Sequence, residues 1–366
     1  MIINPCQEND MKKQLAILAM AASLLIAPKS SPAAADYVLS LNLPIAPVHT
    51  RWTGAVKVYF DELQKRSGGR IVVEPYFAES LSKMSECADS VRNGLADLTE
   101  TALTTAPGAF PFFSRFADLS DVTRSIDAPV KIMKELGAEF PEIYNECKGL
   151  KILAIHALPV GMVPCTKEPI RSLDDFKGKK IGAITPATAD KLKALGATPV
   201  MMPLADMYIS LQQGLLDGAV VDFQMLVSRR FGDMLKYMVP LTMSGCYFGM
   251  FMNEDVYNAL PDDLQKVIDD MTANYVDGMF DAFWEKDQYE TAAKWMKDMG
   301  GTIIMLSDAD YAKARELTLP LNDSILKIMQ DNGIPAEKLA KRFYELSEKY
   351  YSPWKNSRLV KEAEIR

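Results

Sequence analysis

The chain has 366 residues and a formal net charge of −7, from 41 Lys and Arg against 48 Asp and Glu. This length is enough for two domains of ordinary size. The charged residues are spread along the chain rather than gathered into a basic face, which argues against a nucleic-acid-binding protein.

The N-terminal segment has the features of a bacterial signal peptide. A basic pair at residues 12–13 is followed by an apolar run over 15–27 and by small residues that end at Ala35, in the spacing that a signal peptidase reads. The run has about 13 residues, fewer than the roughly 20 that span a bilayer, so a membrane anchor is the weaker interpretation. We predict a start at Met11, a signal peptide over 1–35, and a mature chain in the periplasm of a Gram-negative bacterium.

Four cysteines remain after that cleavage: Cys87, Cys147, Cys165 and Cys246. An oxidising compartment permits disulfides, but a chain of this length does not depend on them. No C-x-x-C spacing occurs, which removes the usual zinc and redox motifs. We therefore expect buried free thiols.

The mature chain opens with alternating strands and helices. Hydrophobic periodicity predicts a strand at 37–43, a helix at 51–69, a strand at 70–77, a helix at 85–97 and a short strand near Leu98. Helices that connect successive strands predict a parallel sheet. A Pro-, Gly- and Phe-rich loop, a helix and a strand follow, at 104–121, 127–149 and 151–158.

A second module of the same design comes next. A strand ends near Ile184, and Thr185 with Pro186 predicts a helix N-terminus. Gly196 and Gly214 are the expected stops of two helices. The remaining elements of the module are strands at 198–202 and 215–223 and the second helix, at 203–214.

The last third of the chain is mainly helical. Residues 262–301 carry periodic apolar side chains for longer than an ordinary globular helix, which predicts one kinked helix that reaches across both domains. The other predicted elements are helices at 229–238, 312–333 and 336–351 and a strand at 244–253.

These modules predict two α/β domains around a cleft. We assign 36–158 plus 247–292 to the first domain and 159–246 plus 293–366 to the second. Ligands of open parallel sheets bind outside the carboxyl ends of the strands, and small-molecule sites concentrate between domains.

Candidate ligand contacts of the first domain follow its strands. They are His49, Trp52, Glu100, Thr101 and Thr104. A carboxylate among them could also neutralise an amino group of a ligand. The alternatives are that Trp52 packs in a helix core, that His49 lies on the surface, and that the other three cap or solvate loops.

The second module contributes three further candidates, and the later strand at 244–253 contributes Tyr247. Thr185 is most simply a helix cap, although its cap geometry also turns first-turn N–H groups towards the cleft. Asp222 and Gln224 end a strand, and Tyr247 could face the ligand from the hinge side.

The segment KALGATPVMMPLADMYISLQQGLLDGAVVD, at 193–222, carries a resemblance to a known family. It resembles the solute-binding proteins of tripartite ATP-independent periplasmic (TRAP) transporters, of the dicarboxylate-binding type. FDELQKRSGGRIVVEPYF, GLADLTE and SLDDFKGKKI match the family as well. The resemblance implies the two-domain periplasmic binding protein fold, with an interdomain cleft and a long hinge-spanning helix, and delivery of organic acids to a membrane permease.

The chain departs from the family at its expected anchor. Most members have an arginine that binds the substrate carboxylate where this chain has Gly182, and a second basic position of some members falls at Met162. A hydrogen bond to a charged group contributes about 1.5–3 kcal/mol, so its loss weakens binding by about one to two decades. Either the substrate differs, with a bulkier part near Gly182, or another group compensates. Candidates are Arg51 and Arg115, although both are more often solvated in such positions, and the helix N-terminus after Thr185.

We therefore expect a periplasmic protein, a monomer, that binds a small organic solute, most simply an organic acid, and passes it to TRAP membrane subunits. The alternative is a sensory module that docks on a membrane receptor. An enzyme is not expected, because His49 and His156 are the only histidines and no catalytic motif is present. We predict no cofactor, no metal and no nucleic-acid partner.

Overall fold

The protein is described here by a computed structural model that covers residues 35–125, 129–331 and 333–364. The predicted signal peptide lies outside the described residues except for Ala35. The strands are β1 (Tyr37–Asn42), β2 (Ile71–Tyr76), β3 (Leu98–Ala102), β4 (Arg124–Ser125), β5 (Leu150–Ala157), β6 (Val163–Thr166), β7 (Lys180–Ala183), β8 (Thr198–Met201), β9 (Gly218–Val221), β10 (Tyr237–Met238), β11 (Tyr247–Asn253), β12 (Thr302–Ile303) and β13 (Ser352–Pro353).

The α-helices connect these strands and form most of the C-terminal third. They are α1 (Lys57–Arg66), α2 (Cys87–Arg92), α3 (Pro111–Phe116), α4 (Pro129–Glu139), α5 (Pro186–Ala194), α6 (Leu204–Gln212), α7 (Phe223–Ser228), α8 (Glu254–Asn258), α9 (Asp262–Asn274), α10 (Val276–Asp298), α11 (Asp308–Thr318), α12 (Asn322–Asp331), α13 (Ala336–Tyr350) and α14 (Arg358–Glu364). No helix of the described residues is both long and apolar enough to cross a membrane.

The first sheet has the strand order β2-β1-β3-β11-β5. β1 pairs in parallel with β2 and β3, as the β-α-β-α-β pattern predicts. β11 is antiparallel to both of its neighbours. The chain leaves this sheet after β5, builds the second sheet, and returns through β11.

The second sheet has the strand order β12-β10-β6-β9-β7-β8. β7 pairs in parallel with β8 and β9, which confirms the second predicted module. Thr185 caps α5 through a hydrogen bond from Thr188 N at 3.2 Å, and Pro186 is its first residue, as predicted. Two crossing segments connect the sheets: residues 158–162, between β5 and β6, and residues 239–246, between β10 and β11.

Helix α10 contacts strand β5 of the first sheet and helix α7, which follows β9 of the second sheet. Its Trp284 packs on His156 of β5, while its Trp295 packs on Phe223, the first residue of α7. The long apolar segment is divided at Tyr275 into α9 and α10, so the predicted kinked helix that reaches across both domains is confirmed.

Two local predictions are wrong. The predicted loop at 104–121 contains helix α3, whose first backbone N–H groups, of Phe112 and Phe113, donate to the carboxylate of Glu146. The predicted helix at 229–238 is a 3₁₀ turn followed by β10. Arg230 has the left-handed φ of 59°, which ends helical geometry there.

The C-terminal helices return to the first half of the chain. Phe343 of α13 meets Phe116 of α3 at 5.2 Å between ring centres, and α12 packs on the same helix. β13 pairs with β4. The strands of the first sheet fall within the predicted first domain and those of the second sheet within the predicted second domain, while the exact division stays a prediction.

Candidate functional site

Arg51 is the buried cation of the candidate site. It follows β1, is 4% exposed, and its Nε lies 3.0 Å from Glu100 Oε2. Its guanidinium carbon lies 4.4 Å from the centre of the Phe248 ring, which adds a cation–π contact. Its Nη2 atom is buried and has no hydrogen-bond partner among the described residues. The expectation of a solvated arginine at this position is therefore wrong.

A neutral histidine faces the other oxygen of Glu100. Trp284 Nε1 donates to His156 Nδ1 at 2.9 Å, which places the imidazole proton on Nε2, 3.3 Å from Glu100 Oε1. Burial lowers the pKa of His156. Burial alone would raise the pKa of Glu100, but the charge of Arg51 and the interaction with His156 outweigh it and hold that pKa below its ordinary value. Glu100 is therefore a carboxylate that orients Arg51.

His49 lies beside this pair and stays neutral. Its Nδ1 accepts a hydrogen bond from the backbone N–H of Arg51 at 3.2 Å. Burial, and then the charge of Arg51, lower the pKa of His49 to about 4. At pH 7 the imidazole adds no second positive charge to the site.

Two further carboxylates, Asp222 and Asp287, lie within electrostatic range of Arg51 on other elements. Asp222 caps α7, where its Oδ1 accepts from Met225 N at 2.7 Å, and it is 3% exposed. Burial raises the pKa of Asp222 to about 6, and the charge of Asp287 adds to the rise. Asp287, on α10, is 8% exposed, and burial raises its pKa too. The charge of Arg51 acts on both acids in the opposite sense.

Gln224 joins the elements that surround these charges. Its Nε2 donates to Thr50 Oγ1 at 2.7 Å and lies 3.5 Å from Asp287 Oδ2. Thr50 belongs to the segment after β1, and Gln224 follows β9 of the second sheet. The structure therefore brings the predicted residues His49, Glu100, Asp222 and Gln224 into one region.

Three predicted first-domain residues have other surroundings. Trp52 packs edge-on against Phe77 at 5.1 Å between ring centres. Thr101 points to the opposite face of β3 from Glu100 because successive side chains of a strand alternate, and its hydroxyl donates to Met84 O at 3.1 Å. Thr104 is half-buried, with its hydroxyl 3.8 Å from Cys246 Sγ.

Met162 and Gly182 mark the positions where the resemblance implied basic side chains. Met162 is buried and pairs through its backbone with Ser244 in the crossing segments. A Cβ on Gly182 would lie 3.1 Å from Leu216 Cδ1 and 3.4 Å from Met207 Cε. The space beside Gly182 is thus filled by apolar side chains of the protein, and the expectation that it is open for a bulkier ligand is not supported.

The remaining candidates are Thr185, Tyr247 and Arg115. The hydroxyl of Thr185 also lies 3.1 Å from Asp118 Oδ1, to which it donates. Tyr247 is buried against Phe116, at 5.5 Å between ring centres. Arg115 is half-buried and forms no ion pair with any residue that the structure describes. Ligand contacts by all of these residues stay predictions.

The structure adds four residues to the candidate site that the sequence did not single out: Thr50, His156, Phe248 and Asp287. His156 looks structural in sequence because it stands in an apolar strand, and its ring does stack on Phe280, at 3.8 Å between centres. Asp287 is one of many charges on a long helix. Only its burial, 8% exposed, separates it from them. The four cysteines of the described chain are free thiols, as expected, and no cluster of metal-ligating side chains occurs among the described residues.

Comparison with protein families gives one match that spans most of the chain. The model of the bacterial extracellular solute-binding protein family 7 matches residues 44–328. The chain belongs to this family. The family consists of transport proteins rather than enzymes, so the predicted resemblance, the periplasmic location and the absence of an enzymatic role are confirmed.

Solved structures and a curated relative agree with this membership. A TRAP periplasmic solute-binding protein from Desulfovibrio salexigens, in an open complex, is 27% identical with a TM-score of 0.73, over 86% of this chain and 97% of that one. A marine metagenome TRAP protein, specific for aromatic acid ligands and solved with metahydroxyphenylacetate, is 27% identical with a TM-score of 0.76, over 86% and 99%. The C4-dicarboxylate-binding periplasmic protein DctP of Rhodobacter capsulatus is 24% identical over 90% of this chain and 98% of its own.

These likenesses confirm the predicted two-domain fold. This family 7 protein is therefore a periplasmic solute-binding protein that serves a TRAP transporter with membrane subunits. The dicarboxylate-binding type and the monomeric state stay predictions.

Proposed function

We propose that this family 7 protein binds a small organic acid between its two sheets, with the ligand carboxylate on Arg51, and delivers it to TRAP membrane subunits. Arg51 would then take the role that an arginine at position 182 has in most of the family.

The observation that carries this proposal is the unpartnered Nη2 of Arg51. A buried donor without an acceptor costs about 1–3 kcal/mol, and a charge-assisted bond to a carboxylate would remove that cost. Glu100 and Phe248 hold the guanidinium in place, so little side-chain entropy is lost when a ligand binds.

The relatives support an acidic ligand. One structural neighbour is specific for aromatic acids, and one curated relative is named for C4-dicarboxylates. Both ligand types carry a carboxylate that needs a cationic partner, and Arg51 is the buried arginine among the residues that the structure describes.

Closure of the two halves gives the mechanism. In the open form the ligand carboxylate meets Arg51, which the first sheet and its following segment hold. Closure then brings Asp222 and Gln224 from the second sheet, and Gln224 bonds Thr50 across the cleft. The closed form is the one that docks on the permease, in the manner of hinge proteins that close around a ligand.

The test is calorimetric and thermal-shift titration with three acids: 3-hydroxyphenylacetate and succinate, which are plain acids, and aspartate, which also carries an amino group. We expect at least one acid to raise the melting temperature, and Arg51→Met to weaken its binding at least tenfold. Arg230→Met is the matched control, since Arg230 is exposed and pairs only locally with Asp233.

Arg51→Met leaves Glu100 buried without its cation and can unfold the protein. The double variant Arg51→Met with Glu100→Gln removes both charges and keeps the comparison usable. If the folded double variant binds acids as tightly as the wild type, or if no acid binds the wild type, the proposal is wrong.

A further inference from the structure

The cleft contains more buried negative charges than buried positive charges. Arg51 is the buried cation, and it is already paired with Glu100 at 3.0 Å. Two more buried carboxylates, Asp222 and Asp287, have no ion pair with any described residue. Arg229 is within electrostatic range of Asp222 but is exposed, so water screens it.

The histidines do not correct this imbalance. His49 has a pKa near 4, and burial lowers the pKa of His156, so both rings are neutral at pH 7. A ligand that carried only negative charge would therefore enter a site with excess negative charge. Charges repel strongly where water is excluded, so such a ligand would bind weakly.

We propose that the ligand is amphoteric: its carboxylate binds Arg51, and a protonated amino group or similar cationic nitrogen lies between Asp222 and Asp287. This inference rests on the proposed function and narrows its ligand class. The ligand would then supply the positive charge that the described residues of the cleft lack.

The geometry places the two ends of such a ligand on different elements. Asp222 uses Oδ1 to cap α7, and its Oδ2 accepts no hydrogen bond from the described residues. Asp287 lies next to the bridge between the sheets, since Gln224 Nε2 is 3.5 Å from its Oδ2. Arg51 approaches from the segment after β1, with Nη2 unpartnered. The carboxylate acceptors of Asp222 and Asp287 and the Nη2 donor of Arg51 therefore belong to separate elements that meet in one region.

A ligand that is only a cation is less well matched. It would satisfy Asp222 and Asp287 but would leave Arg51 Nη2 buried without an acceptor. Binding measurements with amino acids and with a simple amine distinguish an amphoteric ligand from a purely cationic one.

The experiment uses three matched pairs of probes: propionate and alanine, succinate and aspartate, and phenylacetate and 2-phenylglycine. Each pair differs in an amino group. Thermal shift and calorimetry are expected to show, in at least one pair, the amino member binding at least tenfold tighter than the plain acid.

The outcomes separate the two proposals. If the plain acids bind as tightly as their amino partners or more tightly, the amphoteric inference is wrong and the organic-acid proposal stands. If benzylamine binds and no carboxylate does, both are wrong.

Asp287→Asn tests the position of the cationic group. It should weaken the amino member of the responding pair at least tenfold and leave its plain acid unchanged or tighter. Asp298→Asn, an exposed site on the same helix, should change neither. An equal loss for both members would assign Asp287 a structural role and overturn its place in the inference.

Discussion

Gln224 Nε2 donates a hydrogen bond to Thr50 Oγ1 at 2.7 Å and so connects the second sheet to the segment after the first strand. The two residues are 174 positions apart in sequence. Because each belongs to a different half of the molecule, this bond exists only when the halves are close together. The hydrogen bond therefore stabilises the closed state directly.

Thr50→Val removes the acceptor and keeps the shape of the side chain. We expect the closed state to lose about 0.5–1.5 kcal/mol, the net contribution of one hydrogen bond. Small-angle scattering of the unliganded protein should then show a larger radius of gyration. Thr53→Val is the control, since the Thr53 hydroxyl bonds only backbone oxygens of its own segment. An unchanged radius for Thr50→Val would show that this bond does not hold the halves together.

Gly182→Arg is expected to destabilise the fold rather than to restore a carboxylate site. The side-chain direction of residue 182 leads to Leu216 and Met207, at 3.1 and 3.4 Å from a Cβ. Overpacking costs about 1–3 kcal/mol, and burial of an unpaired guanidinium adds to it. Urea unfolding should show the loss, and Gly108→Arg, at a site with open space, should not. New affinity of a stable Gly182→Arg protein for succinate would contradict this reading.

The elements around the cleft were predictable because their signals are local. The alternation of β1, the cap at Thr185 and the glycine stop of α5 each lie within a few residues of the feature they set. Such patterns predict the β-α-β order of the elements. This order predicts a parallel sheet and therefore the edge at which the carboxyl ends of its strands meet. Asp222 and Gln224 follow from that argument together with the family resemblance.

The chemistry of the site was less predictable because it depends on contacts between distant segments. Arg51 meets Glu100 49 positions away, and Trp284 fixes the tautomer of His156 from 128 positions away. Neither spacing has a local signature. The burial of Asp287 likewise follows from how α10 packs. For the same reason Lys236 N bonds to Thr166 O, a strand contact that overrides the helical pattern at 229–238.

Asp222→Asn should stabilise the unliganded protein at neutral pH. Burial raises the folded-state pKa of Asp222 from an ordinary 3.8 to about 6. The folded state therefore binds more protons than the unfolded state between about pH 4 and pH 6, and stability falls as the pH rises through that window. Asparagine keeps the helix cap without a charge.

We expect a gain of about 1–3 kcal/mol at pH 7.5 for Asp222→Asn, measured by urea unfolding, and a flatter pH dependence between 4 and 6. Asp206→Asn, an exposed acid in the first turn of α6, is the control. Equal stability of wild type and Asp222→Asn across this range would show that Asp222 titrates normally.

Lys191 connects helix α5 to two distant segments of the chain through hydrogen bonds. This residue of α5 is fully buried, and its Nζ lies 2.6 Å from Asp118 O, 2.6 Å from Ser120 Oγ and 2.7 Å from Met243 O. Met243 lies in the segment by which the chain returns to β11. The ammonium group of Lys191 thus links helix α5 to residues 118–120 and to Met243.

Lys191→Met should destabilise the protein because it leaves two buried carbonyls and a hydroxyl without their donor. Each such group costs about 1–3 kcal/mol, so a loss of about 3 kcal/mol or more is expected in urea unfolding at pH 7. Lys193→Met, two positions along and exposed, should have little effect.

The pH dependence separates a titrating ammonium from simple packing. Burial lowers the folded-state pKa of Lys191 from 10.5 to about 8, against the opposing charge of Asp118. Between these values the unfolded state binds more protons, so the wild type gains stability relative to Lys191→Met as the pH rises from about 8 towards 10.5. A stability difference that stays constant over this range would mean that Lys191 acts through its methylene packing, and that its ammonium titrates as it does in water.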